Sequence, residues 1–89
     1  MINKEDQIKI IEISKKYGIS RIFLFGSSLT ESTEANDIDI AVEGLRDADF
    51  FKFYGELILS LSKPVDVVDL TNKSKITDII YSEGLQLYG

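Results

Sequence analysis

The chain contains no cysteine, no histidine and no tryptophan, and it has a single proline and only two arginines, Arg21 and Arg46. Each absence closes a class of chemistry. Without cysteine there is no disulfide framework and no thiolate metal site. Without histidine the chain has no imidazole to act as a general base or to bind zinc. Any metal it holds must be a hard cation on oxygen ligands, magnesium or manganese. A run of apolar residues long enough to span a bilayer is also missing. The N-terminus, Met1-Ile2-Asn3-Lys4-Glu5-Asp6, is charged with both signs and has no signal-peptide core. The expectation is a cytoplasmic protein that does not enter the membrane. Acidic residues outnumber basic ones by 15 to 10, for a formal net charge of −5, and the cations are scattered. No basic stripe marks a direct nucleic-acid surface.

What is present is enough for one small domain. The 89 residues are 44% hydrophobic and 28% charged, the composition of an ordinary globular fold. The reading is a single domain over residues 1–89, without linker or repeat. Asn3 to Gly18 predicts a helix capped by Asn3, with Glu5 and Asp6 in its first turn. Ile10, Ile13 and Tyr17 form its stripe, widened by Ile8 and Ile11, and Gly18-Ile19 ends it. Arg21 to Phe25 predicts a strand, and Leu29 to Asn36 a helical turn plus a loop. Asp37 to Glu43 predicts a second strand, closed by Gly44. A helix then starts at Asp47 or Asp49, with Phe50, Phe53, Tyr54, Leu57, Ile58 and Leu61 on its core stripe. Phe51 and Leu59 fall off that stripe, as candidate partner contacts, as part of a wide core face or as simply exposed residues. Lys63-Pro64 breaks the helix. Val65 to Leu70 predicts a third strand. Ser74 to Glu83 predicts a last helix with Ile76, Ile79 and Ile80 inward, and Leu85 to Tyr88 suits a short terminal strand. The order α-β-β-α-β-α predicts an α/β (α+β) fold, a mixed sheet with helices packed on one face.

Two features of this pattern carry chemistry. The second strand alternates strictly: Asp37, Asp39, Ala41 and Glu43 on one face, Ile38, Ile40 and Val42 on the other. The isoleucine face must be buried, so the two aspartates share the open face, about 6.5–7 Å apart along the strand. Carboxylates this close repel, and a divalent cation turns that repulsion into binding. An Asp-x-Asp pair on a wet strand face is also a common way to discourage edge pairing. The preceding strand tips the balance, because it ends in Gly26-Ser27-Ser28. A glycine there lets backbone N–H groups approach a phosphate, and a serine hydroxyl adds a donor. Asp66, inside the apolar run Val65 to Leu70, is a third acidic residue where charge is costly without compensation. Asp69, three residues on, has opposite parity and reads as a turn residue before Thr71-Asn72. Asp66 is favoured as the third ligand, and which face of that strand meets the cleft stays open.

A hydrophobic strand, Gly-Ser, a spacer, Asp-x-Asp and a later acidic residue together resemble the DNA polymerase β-like nucleotidyltransferase superfamily. More narrowly the chain resembles its minimal, MntA-like members, over nearly its whole length. The resemblance implies that Gly26, Ser27 and Ser28 hold a nucleoside triphosphate, with ATP as the substrate. It implies that Asp37, Asp39 and Asp66 are the catalytic carboxylates and bind two magnesium ions, with manganese as a substitute. It further implies transfer of AMP to a hydroxyl, a tyrosine of a helical HEPN-type toxin, with the chain as antitoxin in complex with that partner. A binding-only antitoxin and a small-molecule, aminoglycoside-type transferase are the alternatives. One departure stands out. Many members carry arginines just after Gly-Ser, whereas here Ser28-Leu29-Thr30 follows and no cation comes before Arg46. The triphosphate would then lean on metals and backbone.

Overall fold

A computed structural model describes residues 2–29 and 37–89. Helix α1 (Lys4–Lys16) is followed by strand β1 (Arg21–Leu24) and a 3-10 turn at Gly26–Leu29. Strand β2 (Ile38–Glu43) leads through a short 3-10 turn, Asp47–Asp49, into helix α2 (Phe50–Ser60). Strand β3 (Val65–Asp69), helix α3 (Lys75–Glu83) and strand β4 (Leu85–Tyr88) complete the chain. Of the expected turn and loop from Leu29 to Asn36, Leu29 closes the 3-10 turn, and residues 30–36 lie outside the described residues.

Local chemistry explains the helix ends. Asn3 Oδ1 accepts the Asp6 N–H at 2.7 Å and caps α1. Gly18 takes φ +67°, and Ile19 N–H reaches back to the Ser14 carbonyl at 3.1 Å, which buries Ile19 against the core. Ser74 opens α3 with a capping box shared with Thr77.

The four strands form one mixed sheet in the order β3-β2-β1-β4. β1 pairs antiparallel with both β2 and β4, and β2 pairs parallel with β3. A parallel neighbour requires a crossover, and the segment through α2 supplies it. Ile22, Leu24, Ile38, Ile40 and Val42 project from one face into the main core, where they meet Ile10 of α1 and Phe53 and Leu57 of α2. This is the isoleucine face that alternation assigns to the interior.

The other face is not bare. Phe23, Ala41 and Leu70 project there and pack against Ile80 of α3. Two helices therefore share a face, as expected, while the third lies across the opposite one. The reason is that β1 is buried on both sides: Phe23 is as well covered as Ile22 and Leu24. The same placement corrects the expected inward stripe of α3. Ile80 is buried with Thr77, whereas Ile76 and Ile79 are 59% and 54% exposed. In α2 the expected stripe holds at Phe50, Phe53, Tyr54, Leu57 and Leu61, but Ile58 faces solvent. Ile8 of α1 is likewise half exposed.

Candidate nucleotide and cation site

The site is assembled where β1 ends and β2 and β3 begin. β1 runs into Gly26, which adopts φ +56°. This left-handed turn folds the chain back so that the Gly26–Leu29 turn lies beside the start of β2. A Cβ on Gly26 would sit 2.7 Å from Asp39 Oδ2. The glycine is thus required twice, by its backbone angle and by the carboxylate seated against it.

Ser27 holds that carboxylate. Its backbone N–H donates to Asp39 Oδ2 at 3.1 Å. Its hydroxyl lies 2.8 Å from the same oxygen and 3.1 Å from the Asp37 carbonyl. An N–H and an O–H converging on one anionic oxygen form a small oxyanion cradle, with an aspartate as its present occupant. Ser28 does something different from what its position suggests. It is buried, its N–H donates to the Phe25 carbonyl at 3.1 Å, and its Oγ accepts the Asp39 N–H at 2.7 Å. It ties the turn to β2 and fixes Asp39 from the backbone side.

Asp37 stands just before β2 and is exposed. Asp39 lies two residues on, partly buried, facing the same way. The parity question on β3 is settled by register. In the parallel pairing Asp39 stands opposite Asp66, and residues so paired share a face. Val65 and Val67 point instead into the α1–α2 core. The strands are about 4.8 Å apart, so Asp66 neighbours Asp39 on the open face. Asp69 points the other way, and its Oδ1 accepts the Thr71 N–H at 2.9 Å, the turn role its sequence context suggests. Tyr54 of α2 donates its hydroxyl to the Val65 carbonyl at 2.8 Å and the Pro64 carbonyl accepts the Ile38 N–H at 2.8 Å. Both bonds anchor the entry of β3 beside β2. Neither Tyr54 nor Ser28 was visible as a positioning residue in the sequence. The signal for Tyr54 was only its place on an apolar stripe.

The donors suit a hard cation: every candidate ligand is a carboxylate oxygen. Among the described residues no three acidic side chains are drawn into one cluster. The arrangement fits a cation held by one or two carboxylates and completed by phosphate oxygens, which is how magnesium is usually bound, and not an all-protein cage.

Farther along the same face, Arg21 Nε and Nη2 clasp the two oxygens of Glu43 at 2.8 Å each, and the Tyr81 hydroxyl donates to Glu43 as well. These hydrogen bonds, from Tyr81 first and then Arg21, hold the Glu43 carboxyl below the ordinary carboxylate range. The same bond raises Tyr81 above the usual phenol range. This cluster fastens α3 to β1 and β2.

Comparison with known proteins agrees with this geometry. The family model for polymerase β nucleotidyltransferases matches residues 8–89. Among solved structures, a chain of the toxin–antitoxin complex MntA–HepT superposes with a TM-score of 0.74 at 28% identity, covering 98% of this chain and 73% of that one. A toxin–antitoxin structure with AMP-PNP gives 0.76 at 31% identity, covering 93% of this chain and 73% of that one. A complex of tri-AMPylated HEPN toxin from Shewanella oneidensis with its MNT antitoxin gives 0.71 at 29% identity, covering 94% and 70%. No curated protein sequence matches the chain.

Proposed function

The chain belongs to the polymerase β nucleotidyltransferase family, and from that premise we propose that it transfers AMP from ATP to a hydroxyl of a HEPN-type toxin and so acts as its antitoxin. One observation carries the reading. Asp39 is held at the Gly26-Ser27 turn by two converging donors, with Asp66 in register beside it on the next strand. Support for the acceptor comes from the similar solved complexes, in one of which the HEPN toxin is AMPylated.

The reaction joins the acceptor oxygen to the α-phosphorus of ATP. The bond from that phosphorus to the bridging oxygen breaks, and pyrophosphate leaves. The Ser27 N–H and hydroxyl bind a phosphate oxygen once Asp39 turns from them. Gly26 leaves the backbone open to that phosphate, since no side chain intervenes. Asp37, Asp39 and Asp66 would offer carboxylates to magnesium or manganese, with no ion taking more than two of them. When bound, these ions neutralise charge building on the phosphoryl group and the leaving pyrophosphate. Asp66 accepts the acceptor's proton, a task no histidine is present to perform. The protein's remaining contribution is position and fixed charge.

The test is incubation with a HEPN-type toxin, magnesium and labelled ATP, read by intact mass. The expected result is a partner heavier by one or more AMP units, with no gain when Asp37→Asn or Asp39→Asn replaces the wild type. A second reading draws on the lack of any cation between Ser28 and Arg46. In it the chain neutralises its partner by contact alone. Tight partner binding with no mass gain from the wild type would favour it.

A further inference from the structure

Beside the site, α3 and the Gly26–Leu29 turn enclose a cleft of about 250 Å³. Phe25, Leu29, Ile76 and Ile79 give it apolar walls, and Gly26 and Glu83 also line it. Ile76, Ile79 and Glu83 follow one another at helical spacing, so they share one stripe of α3. The two isoleucines are more than half exposed, though Ile80 beside them is fully packed. α3 is therefore apolar on two sides, and only one of them is used by the fold.

We infer that this cleft is the docking groove for the acceptor-bearing segment of the protein partner, which places an apolar side chain between Ile76 and Ile79 and a basic one toward Glu83. The inference rests on the transfer reading above. An acceptor hydroxyl must arrive on the face that carries Asp39 and Asp66. The cleft is lined by α3, which packs on that face through Ile80 and Ala41, and by Gly26 itself, so a segment seated in it is delivered to the phosphate turn. The other exposed apolar stripe, Phe51, Ile58 and Leu59, lies on α2, whose Phe53 and Leu57 pack against the opposite sheet face. A partner seated there stands behind the sheet. The sign of the charge follows from the chain: it carries −5 overall, and among the described residues the one charged group lining the groove is the acidic Glu83.

The decisive comparison is Ile76→Asp/Ile79→Asp against Phe51→Asp/Leu59→Asp. All four side chains are exposed, so both double variants should keep the wild-type melting curve. Calorimetry with a HEPN-type toxin that the wild type binds should show the α3 variant binding at least about 30-fold more weakly, and the α2 variant binding as the wild type does. Magnesium-ATP affinity without partner should stay within about two-fold for both. Glu83→Lys should weaken partner binding and reduce its salt dependence. Unchanged partner affinity in the α3 variant overturns the inference. So does a loss of ATP affinity in the partner-free α3 variant, because the groove would then hold the nucleobase. If the wild type never transfers AMP while the α3 variant still loses the partner, the docking groove stands and the transfer reading falls.

Discussion

At the scale of single residues, two glycines at positive φ make opposite predictions. Gly18 and Gly26 adopt φ +67° and +56°. A Cβ at Gly18 meets nothing within 4 Å, whereas at Gly26 it meets Asp39 Oδ2 at 2.7 Å. Gly18→Ala should therefore cost only the left-handed backbone penalty, roughly 1–2 kcal/mol of stability, with ATP binding intact. Gly26→Ala should show a similar loss in denaturant titration, and calorimetry should also show nucleotide binding collapse, because the new methyl evicts Asp39 and obstructs the phosphate. Equal ATP affinity in the two variants would mean that the turn does not hold phosphate. Ser28→Ala is a second case. It leaves the partly buried Asp39 N–H without its acceptor, a loss of about 1–3 kcal/mol. A serine read as a ligand would predict weaker nucleotide binding at unchanged stability instead.

At the scale of elements, alternation was the strongest signal in the chain. It assigned Ile38, Ile40 and Val42 to the core and Asp39 to the open face because period two leaves no other choice for a half-buried strand. The parity of β3 could not be read the same way. Val65, Val67, Val68 and Leu70 are apolar on both faces, and only pairing with β2 reveals that Asp66 lies beside Asp39. The stripe of α3 misled for a related reason. Ile76, Ile79 and Ile80 are equally apolar, and periodicity does not say which pair meets the sheet. Asp6 was read as a first-turn charge, yet it is buried, and its carboxylate accepts both the N–H and the hydroxyl of Ser62. That long-range tie between the start of α1 and the end of α2 has no local sequence signature. The register yields a direct test. Asp66→Asn should abolish AMP transfer while calorimetry still detects bound nucleotide, and Asp69→Asn should keep transfer at near wild-type rate with a small stability loss. An inactive Asp69→Asn beside an active Asp66→Asn would place the proton acceptor on the wrong face for this site.

At the scale of the molecule, the sheet is covered unequally. α1 and α2 bury the isoleucine face over a continuous core, while α3 holds the other through one small cluster around Phe23, Ala41, Leu70 and Ile80. The Arg21–Glu43–Tyr81 cluster reinforces that second attachment. It also makes it sensitive to pH. The Glu43 carboxyl is held below its ordinary value of 4.5, first by Tyr81 and then by Arg21. Its contribution is thus fully present above pH 4.5 and is lost as pH falls through the lower folded-state value. Tyr81 is raised above 10.0, first by its bond to Glu43. Its contribution is complete below pH 10 and disappears as pH rises through the higher folded-state value. The cluster therefore stabilises α3 on a plateau between these limits. Arg21 is 44% exposed and Glu43 28%, so solvent screening keeps the contribution of the pair small. Glu43→Gln should melt slightly below the wild type at pH 7, because it loses the charge that Arg21 and Tyr81 hold. The two curves should draw together as pH falls below 4.5 and meet below the lowered folded-state value, where the wild-type carboxyl is neutral too. Tyr81→Phe should shift the acid limb of the wild-type profile upward, by removing the largest cause of the Glu43 depression, and should remove Tyr81's share of the alkaline limb. A Glu43→Gln deficit that persists undiminished as pH falls through the lowered folded-state value would mean that packing, and not charge, fastens α3 to the sheet.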